Sequence, residues 1–161
     1  MSEYAVCDLE PAGHIYGHHT EELCGTRQSS VSIRGNPLDM SPQQLGQLGE
    51  ELAKDYLKNL GWYIAERNWV CACGEADLIA YDGDVCVLVE VKTRLEPNSR
   101  YATAPELAVT PAKQRRYRGI AECYRSYVGP VAMRFDVIAV SVVASGTAHL
   151  HHIESAFGGD L

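Results

Sequence analysis

The apolar positions change period several times along the chain, and each change marks an element. Leu45, Leu48, Leu52, Tyr56 and Leu60 recur every three or four residues, the stripe of a helix with one buried face. Ser41-Pro42 opens that helix as a cap followed by a first-turn proline, Gln44 completes a capping box, and Gly61 ends it. Residues 62–69 (WYIAERNW), 74–80 (GEADLIA) and 85–92 (VCVLVEVK) read as strands, the last two joined by a turn at Asp82-Gly83. Residues 95–109, with Pro97, Asn98, Ser99 and Pro105, read as a loop. Thr110-Pro111 repeats the cap-plus-proline signal and opens a second helix to about Val128, which Gly129-Pro130 stops. Residues 132–143 and 147–153 complete the pattern as a fourth and a fifth strand.

The order α-β-β-β-α-β-β predicts an α/β domain in which helices pack on the faces of a mixed central sheet. Val85–Val89 is a continuous apolar run, as in a strand covered on both sides. Residues 1–36 lack such periodicity. They carry Glu3, Asp8, Glu10, Glu21 and Glu22 against Arg27 and Arg34, and are predicted to be a disordered acidic extension ahead of a domain over 37–161. No basic-then-apolar leader and no 18-residue apolar run occurs, so the expected setting is cytoplasmic and away from membranes. The six cysteines are irregularly spaced, and Cys71-Ala72-Cys73 is tighter than a usual zinc pair; reduced structural thiols are expected.

Composition sharpens this picture in one respect. The 161 residues suit a single domain, and the formal net charge of −7 excludes a broadly basic nucleic-acid coat. From Lys92 to Arg134, however, nine Lys/Arg face three Asp/Glu. The acidic total hides a basic segment.

Candidate chemistry lies on the second and third strands. Side chains alternate along a strand, so Glu75 and Asp77 should share one face, and Glu90, Lys92 and Arg94 another, on two strands made neighbours by the hairpin. Two or three carboxylates beside a lysine form the set that phosphodiester cleavage needs. A hard divalent cation, Mg²⁺ or Mn²⁺, takes carboxylate oxygens and activates water, and a lysine orients that water or stabilises developing charge. Asp77 and Glu90 are the natural metal ligands and Lys92 the positive partner. Glu50, at the border of the first helix's buried stripe, is the helix acid able to lean over the sheet.

The ordered series Gly46-x-x-Gly49-Glu50-x-x-Ala53, Tyr56-Leu57, Gly61, Arg67-Asn68, Gly74-Glu75-x-Asp77-Leu78-Ile79, Val89-Glu90-Val91-Lys92-Thr93-Arg94 and Arg134-Phe135-Asp136-Val137 resembles the UPF0102 (YraN-like) family. That family looks like a branch of the PD-(D/E)XK nuclease superfamily, with a restriction-endonuclease-like fold. The likeness runs over roughly residues 43–157. It implies Glu50, Asp77, Glu90 and Lys92 as the catalytic set, Glu75 as a further metal or substrate contact, and cleavage of nucleic acid, DNA before RNA, possibly branched forms. Ala76 departs from the larger aliphatic residue usual there.

Phosphate contacts are expected from Arg94, Arg100, Lys113 and Arg116, with Tyr101 as a stacking group. The histidines 149, 151 and 152 offer no rival centre, and the pair His149/His151 is expected on an exposed edge strand. The alternative is a non-catalytic binding module that recruits nucleic acid or a helicase-type partner; a homodimer is compatible with either.

Overall fold

The computed structural model describes residues 15–23 (backbone path only), 26–96 and 109–157. The elements are β1 (Ile15–Leu23), β2 (Thr26–Ile33), a short 3-10 turn over Pro37–Asp39, α1 (Pro42–Asn59), β3 (Tyr63–Cys71), β4 (Gly74–Asp82), β5 (Val85–Glu96), α2 (Pro111–Val128), β6 (Ala132–Val143) and β7 (Thr147–Ile153). The seven strands form one sheet in the order β1-β2-β7-β6-β5-β4-β3. Every neighbouring pair is antiparallel except β5 and β6, which run parallel through the α2 crossover. The mixed sheet with a helix on each face agrees with the expected restriction-endonuclease-like α/β architecture.

Both helices start as the caps predict. Ser41 Oγ accepts from the Gln44 N–H at 3.2 Å while Gln44 Oε1 accepts from the Ser41 N–H at 2.8 Å. Thr110 Oγ1 accepts from the Lys113 N–H at 3.3 Å. The α1 face buries Leu52, Ala53, Tyr56 and Leu57 against Leu78, Ala80, Val87, Val89, Ile138 and Val140. The α2 face buries Tyr117, Ile120, Ala121 and Tyr124 against Ala76, Ile79, Cys86, Leu88, Met133 and Phe135. Each buried leucine-sized side chain contributes about 1.5–3 kcal/mol, so α2 is anchored by packing and not by its many polar residues.

Three expectations are corrected. First, the head is not wholly disordered: residues 15–23 and 26–33 extend the sheet, and β2 pairs with β7 from Thr26↔Ile153 to Ser32↔Thr147. The reason is a period-2 pattern in a polar setting. Ser29, Val31 and Ile33 are buried while Gln28, Ser30 and Ser32 stay outside that core. The expectation for residues 1–14 lies outside the described residues. Second, because β2 covers β7, His149 and His151 sit on an interior strand, not an edge. His152 is fully buried. Third, β5 continues to Glu96, four residues past its expected end, because it pairs with β6 along its whole length.

The buried Asp136 organises the α1 side of the sheet. Its Oδ2 accepts from His152 Nε2 at 2.9 Å, its Oδ1 accepts from the Ser155 N–H at 3.0 Å, and Arg134 binds both oxygens through Nε at 3.0 and 3.3 Å. His152 Nδ1 lies 3.3 Å from Tyr56 Oη, which ties α1 to β7. Arg134 also stacks on Trp62, 5.0 Å from the ring centre.

Candidate active site at a fork in the sheet

The site begins where two strands part. β4 and β5 pair from Asp82↔Val85 to Leu78↔Val89 and no further. Beyond that point β4 stays with β3 as far as Cys71↔Gly74, and β5 stays with β6 as far as Glu96↔Val143. Asp77 and Glu90 are the first residues past the last pair, one on each arm. The Asp77 carboxylate spans the opening: its Oδ2 accepts from the Val91 N–H at 2.7 Å. A backbone donor that the ladder would have used is thus satisfied by an acid.

The β3–β4 arm turns over at the same level. Leu78 packs on the α1 side, but Ala76 packs on the α2 side, although regular alternation would keep the two together. On β3 the residue between Arg67↔Leu78 and Trp69↔Ala76 is Asn68, with φ +48°. Asparagine is among the few side chains that adopt this left-handed backbone readily. The small Ala76 sits opposite Trp69, whose indole meets the Tyr124 ring edge-on at 5.2 Å. The assumption that Glu75 and Asp77 share one regular strand face therefore fails at Asp77. The two charges still act on each other, and Glu75 is solvent-exposed.

Both helices lean into the fork. A Cβ on Gly49 would lie 1.7 Å from Thr93 Oγ1, so only glycine lets α1 cross β5 this closely. Glu50 follows directly, and its Oε2 accepts from Asn68 Nδ2 at 3.3 Å. The neighbouring Glu51 differs: burial would raise its pKa, but ion pairs to Lys54 and Arg67 hold it below the ordinary range. From the other face, Lys113 Nζ bonds Glu90 Oε1, and Arg116 reaches Glu90 Oε2 at 3.5 Å.

Electrostatically, the fork holds more acid than base. Desolvation raises the Asp77 pKa, the Val91 N–H and Lys113 oppose the rise, and Glu50 and Glu75 add to it. Desolvation and Arg116 lower the Lys113 pKa, partly countered by Asp77. No three of Glu50, Glu75, Asp77 and Glu90 bring ligand oxygens within 4.8 Å of one another. Carboxylates Asp77 and Glu90 supply the hard oxygen donors that Mg²⁺ or Mn²⁺ takes, and the unfavourable negative charge at Asp77 is the kind a cation relieves.

The expected residues distribute as follows. Glu50 and Asp77 are near enough for their charges to act on each other, Glu90 is bound on the α2 side of the fork, and Lys92 lies on the Glu90 face of β5 two residues on. Lys113 and Arg116 are engaged by Glu90. Arg94 binds Glu96 Oε1 at 2.5 Å, and Glu96 also accepts from Ser141 Oγ at 3.1 Å. Arg100 and Tyr101 lie outside the described residues. Asn68 and Thr93 contribute to the site's geometry; the sequence shows both within the stretches that resemble the family, but without a role, because neither side chain is of a type that carries the expected chemistry.

Fold and fork together define a small α/β protein with an acid-lined split in its sheet. A family model described as "Uncharacterised protein family UPF0102" matches residues 49–140. A UPF0102 protein of Geotalea daltonii is 44% identical over 115 residues, covering 70% of this chain and 88% of the relative. UPF0102 proteins of Geobacter sulfurreducens (43% over 115 residues, 70% and 88% covered) and Chlorobium chlorochromatii (44% over 120 residues, 71% and 91% covered) are similarly close. The chain belongs to the UPF0102 family. No helix among the described residues is long and apolar enough to cross a membrane.

Proposed function

We propose that the fork is the active site of a metal-dependent nuclease of the PD-(D/E)XK type, acting on DNA in preference to RNA. The observation that carries this reading is the position of Asp77 and Glu90 as the first residues past the last β4–β5 pair, with Lys92 on the Glu90 face. Asp77 and Glu90 would hold Mg²⁺ or Mn²⁺, with Glu50 and Glu75 near enough in charge to assist. The bound ion would supply charge shielding at the scissile phosphate and a water of lowered pKa.

The chain's own residues do the rest. The Val91 N–H fixes the Asp77 carboxylate through Oδ2. Lys92 donates a hydrogen bond to the attacking water or to the phosphate oxygen that gains charge. Lys113 and Arg116 neutralise Glu90 until substrate arrives and then offer cations to phosphate oxygens. Glu50 accepts a proton or orients water from the α1 side.

One observation favours a second reading, a binding module that recruits nucleic acid or a helicase-type partner without cutting: Glu90 is already paired with two cations of α2. A cleavage assay with Mg²⁺ or Mn²⁺ on duplex, single-stranded and branched DNA and on RNA separates the two. The nuclease reading expects cleavage that Asp77→Asn and Lys92→Ala each lower by about 100–1000-fold. Cleavage indifferent to both substitutions refutes the site, and tight binding without cleavage of any substrate selects the module.

A further inference from the structure

We propose that Cys71, Cys73 and Cys123 form a three-thiolate site for Zn²⁺ where the tip of the β3–β4 hairpin docks on α2. The three Sγ atoms lie within 4.8 Å of one another, and those of Cys73 and Cys123 are 3.8 Å apart. A Zn–S bond of about 2.3 Å at a tetrahedral angle separates two sulfurs by about 3.8 Å. One pair is therefore already at ligand spacing, and the third thiol needs to close by at most about an ångström. Three sulfur donors with no oxygen in the set select a thiophilic cation and exclude Mg²⁺ and Ca²⁺.

The fold builds this cluster from residues fifty positions apart. A two-residue turn, Ala72-Cys73, joins β3 to β4 and places Cys71 and Cys73 at the hairpin tip. On α2, a Cβ at Gly119 would lie 2.8 Å from Cys73 Sγ, so the glycine opens the space that the thiol occupies. Cys123 follows Gly119 by four residues and stands on the same helix face. One turn earlier, Arg116 packs against Gly74.

The contrast with Cys86 argues against three thiols that merely fill space. Cys86 is fully buried in the core, where a thiol packs as a small hydrophobe. Cys73 is exposed and Cys71 and Cys123 are half-buried; Cys71 also packs against the α2-side core, and the three sulfurs come within 4.8 Å of one another at the solvent edge of it. Ions have access from solvent, and water can complete a fourth position. The site would staple the arm that carries Asp77 to the helix that carries Lys113 and Arg116. Zn²⁺ binding itself is independent of whether the fork cleaves nucleic acid.

The test is a titration of the full chain with Co²⁺ as a spectroscopic stand-in, under reducing, oxygen-free conditions, followed by Zn²⁺ competition against a chromophoric chelator. The expected result is a thiolate-to-cobalt charge-transfer band with a one-to-one end point that Zn²⁺ abolishes. Cys73→Ser, at an exposed position that folding tolerates, and Cys123→Ser should each weaken Zn²⁺ by at least about 100-fold, because even outer-shell partners are worth about 10–100-fold. Cys86→Ser should leave the band in place if it folds, and Asp77→Asn should leave it in place regardless. No charge-transfer band, a band unchanged by Cys73→Ser and Cys123→Ser, or a chain that only forms a Cys73–Cys123 disulfide on air exposure would each overturn the proposal.

Discussion

Two acids of one sheet, the buried Asp136 and the half-buried Asp77, have opposite surroundings. Asp136 is completely enclosed, and Arg134, His152 and the Ser155 N–H fill its coordination. Asp77 has one backbone donor, two carboxylates acting on it and a lysine whose nitrogen is bonded to Glu90. A satisfied acid in a core specifies how elements join, because its partners come from β6, β7 and the turn after β7. An under-satisfied acid at an opening marks a place for a ligand. Both acids lie one residue past a last strand pair, Val137↔Ile153 for Asp136 and Leu78↔Val89 for Asp77. The difference is that β7 and the turn after it bring His152 and the Ser155 N–H onto Asp136, whereas Asp77 is met across its opening by the Val91 N–H.

If this contrast holds, the largest loss of stability follows from the satisfied acid. Asp136→Ala takes the carboxylate from the fully buried His152 and leaves the half-buried Arg134 with Asp82, and should cost about 4 kcal/mol, as for other broken buried ion pairs. Urea unfolding monitored by circular dichroism measures it. A loss below 1 kcal/mol would remove the distinction between the two acids.

The reciprocal expectation concerns activity. Asp77→Asn keeps the shape and can still accept from Val91, so the fold should persist, while metal-dependent cleavage should fall by about 100–1000-fold, roughly 3–4 kcal/mol of barrier. Single-turnover rates in Mg²⁺ read this directly.

Next in size is the contact that sets the fork's α1 wall. Gly49→Ala drives a methyl into Thr93 and should cost about 1–3 kcal/mol. A Thr93→Ala change in the same chain should recover part of it, and strict additivity in a double-mutant cycle would argue against direct contact.

The smallest effect is a pH dependence. Asp77 holds its proton more firmly in the folded chain than in the unfolded one. As pH rises from the ordinary aspartate range through the elevated folded value, the folded state loses its excess proton and stability declines. Asp77→Asn should flatten that decline in EDTA, measured as unfolding midpoints between pH 4 and pH 7. A decline identical in the wild type and the variant would place its origin elsewhere.

Much of this molecule is legible before any coordinates. The seven elements from α1 to β7 follow from periodicity and caps, since long amphipathic stripes such as Leu45–Leu60 and apolar runs such as Val85–Val89 leave few alternatives. β1 and β2 escape because a strand such as TRQSSVSI buries only three side chains, one of them a serine. Asp77, Glu90 and Lys92 are visible as a spacing on adjacent strands. The break in alternation at Asn68 and Asp77 is not, because it depends on where two strands stop pairing. Contacts across 16 residues (Asp136 and His152) or 50 (Cys73 and Cys123) have no local signature at all.

The fork's claim to a divalent cation can be measured apart from catalysis. Calorimetric titration of Mn²⁺ into the full chain, with Zn²⁺ removed beforehand, should find a site that Asp77→Asn and Glu90→Gln each abolish and Cys73→Ser leaves unchanged. Mn²⁺ binding that survives both acid substitutions, or that the wild type lacks, would contradict the assignment of the fork as a metal-dependent site.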